Sequence, residues 1–175
     1  MGFRTLIAHP TLRQLYDYWL GQRAGRPAPL RRDIDPVAIP KLLPDLIIAE
    51  RTGPEDLRYR LVGTRIVRAH GLDYTGWLLS DLARKRDALA LARQLYTPVL
   101  DRGLPVYSEG PFAWPGGEFR WTRRLHLPMS RTGERIDMAV VGQVFDARSQ
   151  THGDPMIRPA TPEELAVDEA ETKPI

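Results

Sequence analysis

Four histidines, a pair of closely spaced aspartates, four serines and one glycine-rich loop are the residues here that could do chemistry. His9, His70, His126 and His152 would be the metal ligands or proton carriers. None has a second His, Asp or Glu at i+3 or i+4 on the same helix, since Asp73, three residues after His70, lies beyond the helix-ending Gly71. Asp33 and Asp35, in "RRDIDP", could hold a cation, but an i, i+2 pair beside Pro36 is better explained by turn formation and helix capping. Ser80, Ser108, Ser130 and Ser149 are the only serines, and none sits in G-x-S-x-G. "WPGGEF" has no strand before it and helix after it, so it reads as a hairpin turn and not a phosphate loop. Cysteine is absent, which removes disulfides, thiolate metal sites and cysteine nucleophiles. No constellation supports catalysis, so neither an enzyme nor a metal protein is expected.

Composition narrows the class further. The 175 residues are 42% hydrophobic and 27% charged, ordinary for one globular domain. Net charge is +3, unevenly placed: the last sixteen residues hold five acids and one lysine, so the rest is more basic. The basic residues are mostly arginine and lie dispersed without interleaved aromatics, which argues against nucleic acid as the main partner. No apolar run approaches the ~20 residues of a membrane span, and the N-terminus lacks a secretory pattern. A cytoplasmic protein with no membrane role is expected.

The elements that must position any site can be read from periodicity. Residues 9 to 24 form an amphipathic helix whose Leu12, Leu15, Tyr16, Trp19 and Leu20 share one face. A proline- and arginine-rich connector follows. From residue 45 the period becomes two, and "DLIIAER" and "LRYRLVG" read as a hairpin around "TGPED". Thr64 caps a short helix that Gly71 ends. A long helix is expected from 81 to 102, with Ala88, Leu89, Ala92, Leu95, Tyr96 and Val99 as its stripe. Three strands close the pattern: "PVYSEGPFAW", "FRWTRRLHLPM" and "RIDMAVVGQVF". The last is apolar on both faces, so it should be central, with the N-terminal helix on one side and the middle helices on the other. Residues 1–44 are thus an arm, 45–148 an α+β core, and 149–175 an acidic, proline-containing tail expected to be loose or weakly helical.

Strand, Gly, short helix, Gly, turn, long helix and three antiparallel strands resemble a PAS domain, and "RYRLVGTRIVRAHGLDYTG" resembles its second strand and first helix. The arm "YWLGQRAGRPAPLRRDIDPVAIPKLLP" looks more closely like a bacterial family of stand-alone, single-domain PAS proteins. The resemblance spans roughly residues 12 to 146. It implies a five-stranded antiparallel sheet with helices packed on it, a cleft, and a signalling habit. Flavin photochemistry in such domains uses a cysteine near an asparagine, and this chain has neither. Haem is often held by a histidine on the long helix, where none is present, so the cofactor stays unknown.

Alternation then supplies a cleft. Tyr59 and Leu61 should share their face with Trp121 and Arg123, and with Met138 and Val140; Tyr107 and His70 are further candidates. His70 is a ligand contact, or else a capping or surface residue. His126, with Arg120, Thr122 and Arg124, is expected on the outer face, and His9 and His152 at the surface. Arg123 is either held by an internal carboxylate such as Glu109 or anchors a ligand carboxylate or phosphate. Two functions follow. One is a sensory module that binds a small organic ligand and signals in trans through a partner or homodimer. The other is a ligand-free adaptor docking through the 9–24 helix and a sheet edge.

Overall fold

The structure, a computed structural model, describes residues 1–113, 119–147 and 152–172. In chain order its elements are α1 (Pro10–Arg23), β1 (Leu46–Arg51), β2 (Leu57–Val62), α2 (Thr64–His70), α3 (Leu79–Lys85), α4 (Leu89–Arg102), β3 (Val106–Pro111), β4 (Phe119–Met129), β5 (Met138–Ala147), β6 (Met156–Pro159) and α5 (Pro162–Thr172). The strands form one antiparallel sheet in the order β2-β1-β5-β4-β3-β6, so β5 runs through its middle. The sheet has six strands where five were expected. The "PGGE" turn lies outside the described residues.

Helix α1 starts where its sequence allows. Pro10 occupies the first turn, the Thr11 N–H donates to His9 Nδ1 at 3.2 Å, and Ala24 and Gly25 at positive φ end the helix. Its apolar face lies on β4 and β5. Leu12, Leu15, Tyr16, Trp19 and Leu20 join Tyr107, Leu125, Leu127, Met138 and Val140 in one buried cluster. The Trp19 indole N–H donates to the Pro128 carbonyl at 2.8 Å. A Cβ on Gly142 would come within 2.7 Å of Leu12 and 2.8 Å of Leu15, so only glycine admits the helix at this depth. These five helix residues are therefore interior, which corrects the expectation of a face open to partners.

The opposite face carries a second cluster, with Ile47, Tyr59, Ile66, Tyr74, Leu95, Tyr96, Val99, Val106 and Val141 between the sheet and α2–α4. The expected long helix is two helices, broken at Arg86–Ala88. An unbroken helix would carry Leu82's stripe onto Arg86, one turn on.

The tail also departs from expectation. β6 pairs with β3, from Val106–Pro159 to Glu109–Met156. Thr161 and Glu164 form a reciprocal cap for α5: the Glu164 N–H donates to Thr161 Oγ1 at 3.3 Å, and the Thr161 N–H to Glu164 Oε2 at 2.9 Å. The buried Asp168 accepts from the Tyr16 hydroxyl at 2.7 Å and the Arg4 N–H at 2.9 Å. Gly2 passes so near this carboxylate that a Cβ there would lie 1.7 Å from Asp168 Oδ1. Arg23 pairs with Glu169 at 2.8 Å. Described residues of the tail are thus folded, as a strand and a helix on the body. No helix among the described residues is long and apolar enough to cross a membrane.

Candidate functional site

Under α3 and α4 the sheet leaves a cavity of about 240 Å³. Apolar walls come from Ile47, Leu82, Leu91, Leu95 and Val141; aromatic ones come from Tyr59, Tyr74, Tyr96 and Phe112. Its polar groups are Arg124 and His126 from β4, Gln143 from β5, His70 from the end of α2, and the exposed Asp87. Each arrives by plain alternation. Thr122, Arg124 and His126 take one face of β4 while Arg123 and Leu125 take the other, and Val141 and Gln143 do the same on β5.

Arg124 dominates the electrostatics. It borders the cavity and keeps some exposure, yet burial pushes its guanidinium down to about 10, against the opposing influence of Tyr74, Tyr96 and Tyr59. Among the described residues it makes no hydrogen bond or ion pair. Burial, then the nearby Arg124 charge, pushes His126 down to about 3. The same two causes bring His70 to about 3, with Gln143 working the other way and the Arg86 charge adding a smaller push down. Both imidazoles are therefore neutral near pH 7, and Arg124 is the cation of the inner wall.

Ring packing fixes the walls. Tyr96 meets His126 edge-on at 4.8 Å, Tyr59 meets Tyr74 edge-on at 4.8 Å, and His70 lies 5.1 Å from Phe112 and 5.6 Å from Tyr74. Gln143 is oriented from behind. Its Nε2 donates to Thr122 Oγ1 at 3.1 Å, while that hydroxyl donates to the Val144 carbonyl at 2.9 Å. The site can therefore grip an anionic group at Arg124 and enclose an apolar body beside it. A broader recess of about 690 Å³ lies beside α4 and α5, where Arg51 pairs with Asp101 at 2.5 Å and Arg23 with Glu169 at 2.8 Å.

Of the residues expected in the cleft, the structure brings Tyr59 and His70 to the cavity wall. It places Leu61, Tyr107, Trp121, Arg123, Met138 and Val140 on the other face of the sheet, toward α1. Two things cause this. The β1–β2 register shifts between Ile48 and Ala49, leaving Arg60 as an extra residue, so Tyr59 and Leu61 point to opposite sides. On β4 and β5 the face expected to line the cleft packs toward α1 instead. Arg123 there is held by carboxylates, Asp146 at 2.6 Å and Glu109 at 3.3 Å, with the Tyr107 hydroxyl donating to Glu109 at 2.5 Å. His152 lies 3.1 Å from Asp146 and stacks on Trp121 at 4.7 Å, so it is not a bare surface residue. His126, expected outside, is buried at the cavity.

Arg124, Gln143, Tyr74, Tyr96 and Phe112 were missed. A signal existed for the first two: a central strand apolar on both faces requires cover on both sides, which puts the polar face of neighbouring β4 indoors as well. Asp33 behaves as a turn residue, accepting the Leu30 N–H at 3.0 Å, and Asp35 accepts from the Val37 N–H at 2.9 Å. No cluster of three or more His, Asp or Glu suited to a metal occurs among the described residues.

In a comparison with protein families, a family model described as PAS domain covers residues 7–138, well over half of the chain. No curated protein matches it.

Proposed function

We propose, from the premise that this chain belongs to the PAS domain family, that it is a sensory or regulatory module taking a small organic ligand in the cleft between the sheet and α2–α4. Ligand binding shifts the balance between conformations of the helical cover, and a separate partner or a second copy reads that shift. We further propose that it acts in the cytoplasm and is not an enzyme.

One observation supports the ligand reading above the rest. An arginine held partly out of water without a described carboxylate costs free energy unless something compensates it, and Arg124 opens onto a cavity. The adaptor reading draws less support, because the α1 residues it relied on are packed against their own sheet.

The test is native and denaturing mass spectrometry with an absorption spectrum on freshly purified protein, followed by thermal denaturation against a small-molecule library. Extra mass lost on denaturation, or a ligand that raises the melting temperature with its concentration, is expected. Bare mass together with no stabilising compound would return the adaptor to first place.

A further inference from the structure

We infer that the ligand is a small monoanion, a carboxylate on a single ring or similarly compact apolar body, with its carboxylate held by Arg124. The inference rests on the ligand-binding reading above and adds charge, size and shape to it.

Charge comes first. Arg124 is the inner wall's cation, and no described residue neutralises it. His70 and His126 are neutral near pH 7, so they offer hydrogen bonds and no second positive charge. A phosphate ester or dicarboxylate would bring two negative charges to one guanidinium, and the exposed Asp87 on the cavity lining would repel the second. A single carboxylate matches the planar fork of an arginine in both charge and geometry.

Size and shape come next. A volume of about 240 Å³ corresponds to roughly eight waters at their liquid volume, below the usual range for drug-sized ligands. That volume suits one ring with a short side chain better than a nucleotide or a flavin. Beside the guanidinium, Tyr59, Tyr74 and Phe112 present rings, and Leu91, Leu95 and Val141 present aliphatic surface. Among the described residues, the Tyr59, Tyr74 and Tyr96 hydroxyls make no hydrogen bond, so they remain for a polar substituent on the ligand ring.

The experiment compares matched acids and amides at equal shape: benzoate with benzamide, 4-hydroxybenzoate with 4-hydroxybenzamide, and phenylacetate with phenylacetamide. Binding to the full chain near pH 7 is followed by calorimetry or ligand-observed NMR. At least one acid is expected to bind, its amide about tenfold or more weaker, because a hydrogen bond to a charged group is lost. Arg124→Gln should erase that preference, and Arg124→Lys should keep part of it. If Arg124→Gln does not fold, the acid–amide pairs on the unaltered protein decide alone. Amides binding as well as acids would overturn the inference while leaving the cleft a ligand site, as would Arg124→Gln and Arg124→Lys both retaining full acid affinity. Silence from both classes would also overturn it, and the mass measurement would then judge the ligand-binding reading separately.

Discussion

On one face of the sheet, α1 lies so close that Gly142 has no room for a methyl group; on the other, α3 and α4 stand far enough off to leave a cavity around an arginine. The same strands build both. Leu125 and Val140 point toward α1, while Arg124 and Val141, their chain neighbours, point toward the cleft. The α1 side gathers Leu, Tyr and Trp at close packing, which is where a domain acquires most of its stability. The cleft side gives up part of that density and buries a charge. Such a division lets one face hold the fold while the other tolerates the strain of recognition.

The comparison breaks most visibly at Trp19. Trp19→Ala should lower stability by about 3–5 kcal/mol, a fall in melting temperature of roughly 10 °C, since it opens a void under α1 and strips the Pro128 carbonyl of its indole donor. Denaturant unfolding measures this, and a loss below about 1 kcal/mol would mean the α1 side is not the dry one. Asp168→Ala comes next. It removes the acceptor for Tyr16 and the Arg4 N–H, each bond to a charged group worth roughly 1.5–3 kcal/mol. Hydrogen exchange should then show α5 losing protection before the sheet does.

A third test belongs to the cleft. His70 and His126 are held at about 3 when folded, below the ordinary histidine value of about 6.5. The unfolded chain therefore binds more protons below that ordinary value. Stability is retained above it and falls as pH drops from there toward about 3, by about 1.4 kcal/mol per pH unit for each histidine. Urea unfolding at pH 7 and pH 5.5 should show the drop, and His126→Phe should remove about half of these two residues' share. An unchanged slope in that variant would mean His126 is already protonated in the folded protein. The smallest effect is expected at Ala92, on the cavity wall. Ala92→Leu should change stability by no more than about 1 kcal/mol, with a slight gain from filling space, yet abolish binding of any cleft ligand. That outcome would separate what the cleft does from what holds the domain together.

Much of this architecture is legible in the residues. The 3.6 period of Leu12, Leu15, Tyr16 and Trp19 places α1, and a strand apolar on both faces places β5 at the centre. The site is less legible because it depends on parity. One extra residue, Arg60, flips Tyr59 against Leu61, and no composition signal marks that bulge. On β4, Trp121, Leu125 and Leu127 read as inner and are inner, but toward the arm; Arg124 and His126 look like solvent-facing residues and are a cavity wall. A polar-lined cavity and a wet surface have the same residue types, and only knowledge of what covers the strand separates them. The tail failed for a different reason. Its acidity masked "TPEE", a reciprocal cap with proline in the first turn.

Strand β6 also bears on how this protein behaves in a crowded solution. A sheet rim with unpaired amides is a template for the next molecule's strand, and from there for aggregation. Beside β3 that rim is occupied by a four-residue strand that follows Pro155 and ends on Pro159, a length too short to propagate pairing. At the opposite rim, β2 is bulged, and the Tyr59 N–H already donates to the Trp77 carbonyl at 3.0 Å. Neither end of the sheet offers a long straight run to recruit a neighbour, so association that begins as strand pairing between copies meets a blocked margin on both sides.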